Sequence, residues 1–215
     1  MGLLDVILGR RKLPGPAPDR LFAISTAYVT FETQLQVTSR GAAGIVFHPL
    51  QTADFLSIVK ETEEVVKATA SDSATTVESS DDPYGYRWLI LRGKDFEQLV
   101  VGINAVSGQL EAGGYGDRLL CAVFAFEDER KRPIYWIYNY KRGFFYPFAP
   151  VGGTVAQAGE GAGAGPTSRI AGEGSSSSNQ RRDNERELVL KAQAGSELPV
   201  EPELERWFPL WGIPI

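Results

Sequence analysis

The run Leu119-Leu120-Cys121-Ala122-Val123-Phe124-Ala125-Phe126 is apolar from end to end. So short and continuous a stretch reads as a buried central strand, and the rest of the chain has to supply its neighbours. Just before it lies the best-marked helix. Asp95 predicts an N-cap, the stripe Phe96, Leu99, Val100, Ile103, Val106 and Leu110 has helical spacing, and Gly113-Gly114 ends the element. Tyr84 to Arg92 reads as a strand upstream of that helix. Downstream, a charged turn from Glu127 to Arg132 leads into a strand from Ile134 to Tyr140. Lys141-Arg142-Gly143 then opens an aromatic run, Phe144 to Phe148, closed by Pro150.

Nearer the start, Val29, Phe31, Leu35 and Val37 alternate with Thr30, Glu32, Gln34 and Gln36, which predicts a half-buried strand. Ser39-Arg40-Gly41 reads as a turn into a second strand through Ile45, Val46 and Phe47. Thr52 stands where an N-cap belongs for a helix from Ala53 to about Ala68, with Phe55, Ile58 and Val65 inward, and 69–82 reads as loop. Strands and helices mix without βαβ alternation. The fold class is therefore α+β: a mainly antiparallel sheet packed by helices, with a short N-terminal helix and a Gly/Ser-rich insertion.

Four regions follow. Residues 1–18 are a short helix, with Leu3, Leu4, Ile7 and Leu8 near helical spacing, and a stiff linker containing Pro14, Pro16 and Pro18. This helix reads either as docked on the body or as an amphipathic peg with a basic end. Residues 19–151 are the core domain. Residues 152–180 hold eight Gly, a Ser tract at Ser175 to Ser178 and no aromatic, a composition that predicts a flexible insertion. Residues 181–215 are a helix carrying Leu188 and Leu190, and a tail whose Trp207-Phe208-Pro209-Leu210-Trp211 should dock on the body.

Composition sets exclusions. Lys+Arg number 22 against 27 Asp+Glu, for a net charge of −5, which argues against phosphate-backbone gripping as the main task. A single Cys excludes an internal disulfide and a cysteine zinc cluster, and a single His excludes a multi-histidine metal site. The basic residues Arg10, Arg11 and Lys12 follow the first apolar run rather than preceding it, unlike a secretory signal, and no window matches a membrane span. A cytoplasmic protein is expected.

No motif builds a catalytic or cofactor site. Gly159, Gly161 and Ala164 have dinucleotide-fingerprint spacing but lack a preceding strand. Arg142-Gly143-Phe144-Phe145-Tyr146 has an RNA-stacking look, yet Phe145 stands where Gly or Ala is needed, and Pro147 would break a central strand's ladder. His48 has no nucleophile motif beside it, Cys121 reads as a buried hydrophobe, and Glu127-Asp128-Glu129 lacks calcium-loop spacing. Expected cofactors and metals: none.

Several segments together resemble a known family. They are Met1-Gly2-Leu3-Leu4-Asp5 with Leu8-Gly9-Arg10; Tyr84-Gly85-Tyr86-Arg87-Trp88; Tyr140-Lys141-Arg142-Gly143-Phe144-Phe145-Tyr146-Pro147-Phe148-Ala149-Pro150; and, in the tail, Arg181-Arg182-Asp183-Asn184, Leu198-Pro199-Val200-Glu201-Pro202 and Arg206-Trp207-Phe208-Pro209-Leu210-Trp211-Gly212. The chain resembles the PspA-associated protein PspAB family of actinobacteria and related prokaryotes, departing from it in the long Gly/Ser insertion. The resemblance implies an accessory factor of the phage-shock envelope-stress system, which centres on PspA, a membrane-coating coiled-coil protein. It also implies a second possible partner, a membrane-bound HtpX-type metalloprotease, and no catalytic residues.

The expectation is thus a non-enzymatic adaptor acting by protein–protein contact at or near the cytoplasmic membrane. Its contact patch is placed on Tyr138, Tyr140, Lys141 and Arg142, with Leu3, Leu4, Ile7, Arg10, Arg11 and Lys12 as a second contact. Exchange of Lys141 and Arg142 for Glu is expected to abolish partner capture while leaving the fold intact. The alternative is a small-molecule-binding or enzymatic domain with a pocket lined by Trp88, Trp136 and Tyr138. A DNA-binding regulator lacks a basic recognition helix.

Overall fold

The computed structural model of the chain describes residues 18–70, 75–151 and 181–215. Helix α1 (Ala23–Gln34) follows a single helical turn, Pro18–Leu21, and leads to strand β1 (Thr38–Phe47) and helix α2 (Ala53–Ala70). Strands β2 (Thr76–Asp81) and β3 (Arg87–Arg92) come next, then helix α3 (Phe96–Ala112), β4 (Leu119–Glu127), β5 (Pro133–Asn139) and β6 (Phe144–Phe148). The short strands β7 (Pro150–Val151) and β8 (Arg181–Arg182) pair with one another, and helix α4 (Asn184–Ala194) follows. The main sheet has the order β2-β3-β1-β4-β5-β6 and every pair in it is antiparallel, an α+β fold.

Alternation across the pleat gives this sheet two apolar faces. On one, Ala122, Phe124 and Phe126 of β4 join Ile45, Leu89, Trp136 and Tyr138 beneath the four helices. All six residues of the expected α3 stripe are buried there, and the Asp95 carboxylate caps the helix by accepting from the Glu97 and Gln98 N–H groups. On the other face, Cys121, Val123 and Ala125 join Val46, Trp88, Ile90, Tyr135, Ile137, Tyr146 and Phe148. No helix covers it. Its lid is the irregular segment carrying Trp207, Leu210, Trp211, Ile213 and Ile215.

Three local expectations are corrected. Residues 29–34 belong to helix α1, not to a strand: Ile24, Ala27 and Phe31 are its buried face, and Val29 is 61% exposed. The apparent alternation came from a β-branched helix running straight into Leu35 and Val37, and packing of 24, 27 and 31 at helical spacing overrides local β preference. Ser39-Arg40-Gly41 is not a turn between strands but a bulge inside β1, whose pairing with β4 jumps from Ser39↔Phe126 to Ala42↔Ala125. The loop expected over 69–82 contains β2, a polar edge strand. It is held by β3 through Arg87, whose guanidinium donates to Asp81 at 2.7 and 2.9 Å, and through an Arg92–Glu78 pair at 3.5 Å.

Two smaller shifts accompany these. Helix α2 buries Phe55, Val59, Thr62 and Val66, while Val65 points outward at 48% exposure. The strand expected from Tyr84 begins only at Arg87. Before it, the Asp82 carboxylate accepts from the Tyr84 and Tyr86 N–H groups at 2.9 Å each, fixing a tight turn through Gly85.

Candidate functional site

The expected contact patch lies at the turn between β5 and β6. Lys141 is exposed at its tip. Gly143 holds a φ of +69°, a left-handed conformation that lets the chain reverse there. The Arg20 guanidinium lies over the Phe144 ring at 5.5 Å and donates to the Gly143 carbonyl at 3.4 Å, so a second cation and a half-buried aromatic ring adjoin Lys141.

The two tyrosines do not belong to this surface. Tyr138 is 0% exposed and Tyr140 3%, with their rings in edge contact at 5.2 Å. Tyr138 takes its place in the β5 alternation that faces the helices, and Tyr140 turns in beside it; burial pushes the Tyr138 hydroxyl up to about 12. Arg142 is likewise committed inward. Its guanidinium forks onto Glu201, whose side chain is almost fully buried, through Nε to Oε2 and through a second donor to Oε1 at 3.2 Å. The expectation that a double exchange to Glu at 141 and 142 leaves the fold intact is therefore overturned: at 142 it would set a second carboxylate against a buried one. Leu3, Leu4, Ile7, Arg10, Arg11 and Lys12 lie outside the described residues, as does the insertion 152–180.

The alternative pocket is not assembled either. Trp88 lies on the face closed by the tail, whereas Trp136 and Tyr138 lie on the helix-covered face. A sheet separates them.

The motifs behind the resemblance act largely as clamps. Phe145 of β6 donates to the Pro199 carbonyl at 2.9 Å and accepts from the Glu201 N–H at 2.8 Å, so Pro199-Val200-Glu201 runs along the sheet edge. That edge position is where Pro147 is tolerated. Glu187, 1% exposed, accepts from the Ala149 N–H at 2.9 Å and from the Arg182 guanidinium. Arg182 also donates to the Trp207 carbonyl at 2.8 Å, and Asp183 caps α4 by accepting from the Arg186 N–H. Trp207 donates to the Glu201 carbonyl at 3.1 Å, and the Tyr146 hydroxyl donates to that of Phe208 at 3.1 Å.

A second surface was not foreseen. A cleft of about 380 Å³ opens between the β4–β5 turn and α4, floored by Leu35, Val37, Ile134 and Leu190. At its rim Asp128 receives Arg186 at 2.8 Å and Arg132 at 2.8 Å, besides the Arg130 and Arg132 N–H groups. Burial alone would push the Asp128 carboxyl up, but these N–H groups and guanidinium charges hold it below the usual carboxylate range. The charged turn was legible; its partner Arg186, 54 residues beyond Arg132, was not.

Among the described residues no helix is long and apolar enough to cross a membrane, and no cluster of three His, Cys, Asp or Glu side chains is placed to hold a metal. A family model described as PspA associated protein B matches residues 1–159 and 175–215. No curated protein and no solved structure matches the chain.

Proposed function

The chain belongs to the PspA associated protein B family, and from that premise we propose that it is a non-enzymatic adaptor whose direct partner is a PspA-type coiled-coil protein. The family's name indicates association with PspA and agrees with an accessory role. The observation that carries the finer reading is the β5–β6 corner. It combines an exposed lysine, a second cation stacked on an aromatic ring and a turn locked by a left-handed glycine. Arginine and aromatic side chains are the usual anchors of an interface, and a net-positive corner suits an acidic stretch on the outside of a coiled coil.

In this reading Arg142 positions the turn through Glu201, while Lys141 and Arg20 meet the partner. The N-terminal residues Leu3, Leu4, Ile7 and Arg10 to Lys12 are a second contact, and the complex forms at the inner face of the cytoplasmic membrane. An HtpX-type membrane protease is a further candidate member of the assembly.

The test is capture of PspA by the full chain, with Lys141→Glu and Arg20→Gln measured against wild type. Both variants are expected to keep the native melting temperature within about 2 °C, since neither removes a buried pair. Binding is expected to weaken about tenfold or more in the charge reversal. Native binding by folded Lys141→Glu removes the corner from the proposal. Failure of the wild-type chain to capture PspA removes the adaptor reading itself.

A further inference from the structure

At the opposite end of the sheet from Lys141, the start of β1 and the end of β3 make a second constellation that the PspA reading does not use. Arg40-Gly41 lies in the β1 bulge, and Arg92-Gly93-Lys94 ends β3. Gly93 donates to the Gly41 carbonyl at 2.9 Å. Gly41 holds a φ of +68°, and a Cβ there would stand 2.8 Å from the Gly93 carbonyl oxygen; a Cβ on Gly93 would stand 2.7 Å from the Thr75 hydroxyl oxygen. Only two glycines let these segments come so close.

Their approach gathers Arg40, Arg92 and Lys94 around one open cleft of about 660 Å³, whose remaining lining is Ser39, Thr76 and the two glycines. Among the described residues no carboxylate belongs to this lining. Among the described residues, Arg92 has a loose pair with Glu78 at 3.5 Å and donates to the Pro214 carbonyl at 3.0 Å. Arg40 reaches the Tyr135 hydroxyl at 3.5 Å, and among the described residues neither Arg40 nor Lys94 has an ion pair. Three cations on one concave wall, in a chain of net charge −5, repel one another unless an anion sits between them. Guanidinium forks flanked by hydroxyls are the donor set that a phosphate takes.

We propose that the cleft framed by Arg40, Arg92 and Lys94 is a binding site for a phosphate group, carried either by a soluble anion or by the headgroup of an anionic phospholipid. Arg92 is the fixed element, held by Pro214; Arg40 and Lys94 close on the phosphate from either side. The inference is independent of the PspA contact.

Two probes separate the sources, both applied to the full chain. Inorganic phosphate is titrated while the amide resonances of Gly41, Gly93 and Lys94 are followed. Flotation is measured with phosphatidylcholine vesicles with and without phosphatidylglycerol. The variant Arg40→Gln/Lys94→Gln spares Arg92 and its hold on the tail; Lys60→Gln/Arg130→Gln makes the same charge change elsewhere. Removal of one cation near an anionic surface weakens binding about fivefold, so the site variant should lose about thirtyfold and the control far less. Phosphate-dependent shifts lost in the site variant support the proposal with a soluble anion. Phosphatidylglycerol-dependent flotation lost in the site variant supports it with a headgroup. Binding of neither probe, or equal losses in site variant and control, overturns it.

Discussion

Replacement of Trp207 by Ala is the sharpest test of how the sheet's second face is closed. Trp207 is 4% exposed, its indole lies against Tyr146 with centroids 6.5 Å apart, and the Lys191 ammonium is 5.5 Å from its ring. It also donates to the Glu201 carbonyl. Truncation of a buried aromatic to Ala costs about 3–5 kcal/mol, mostly lost transfer energy and an imperfectly collapsed cavity. In a chain of 215 residues each kcal/mol moves the melting temperature by about 2–4 °C, so a fall of roughly 6–20 °C is expected in scanning calorimetry. The adjacent Phe208 is the control. It is 61% exposed, and the group it contributes is a backbone carbonyl that Ala retains. Phe208→Ala should stay within about 2 °C of wild type. A fall of less than 2 °C in Trp207→Ala, or equal falls in the two variants, would refute the reasoning that this segment is an integral layer of the core.

Arg142→Glu strands a buried carboxylate and is expected to cost about 3–5 kcal/mol in chemical denaturation, whereas Lys141→Glu stays within about 0.5 kcal/mol; matching midpoints would show that the Glu201 pair carries no stability. Asp128 is held below its ordinary range in the folded chain, so its stabilisation is complete above the unfolded value, about pH 4, and is lost as pH falls through the folded one. Asp128→Asn should therefore be less stable than wild type at pH 7 by about 2 kcal/mol and show a flatter acid limb below pH 4 in pH-dependent melts. The Cys121 thiol is pushed up to about 12 by burial and should resist maleimide at pH 8 while the fold is intact. Because Cys121 shares the tail-covered face, Trp207→Ala should accelerate its labelling; an unchanged rate in that variant would separate the thiol from the tail.

The sequence made the centre of the sheet readable and left its margins opaque. Leu119–Phe126 and the α3 stripe were legible because burial there is complete and the period is unbroken. Residues 29–37 misled because Thr, Val and Tyr in α1 carry β preference, and its buried positions 24, 27 and 31 are only three. Strand β2 was hidden since an edge strand with polar side chains has no apolar alternation to show. The corner at Lys141 was visible as a Lys-Arg-Gly turn, but nothing local announced that Arg142 would be claimed by Glu201, 59 residues away. Arg40, Arg92 and Lys94 left one trace, an Arg-Gly pair at the end of each of two segments. Their convergence depends on a bulge that a one-dimensional pattern cannot show.

The irregular lid over Cys121, Trp88 and Ile137 has a consequence for biogenesis. All six strands of the main sheet end by residue 148, but their second apolar face is closed by residues 207 to 215. At ordinary elongation rates the 55 residues from 152 to 206 take roughly 3–11 s to synthesise. Until those residues are made, a sheet that has already paired lacks the cover that they supply on this side. Native structure on that side is decided late, by residues that pair with no strand of the sheet they cover.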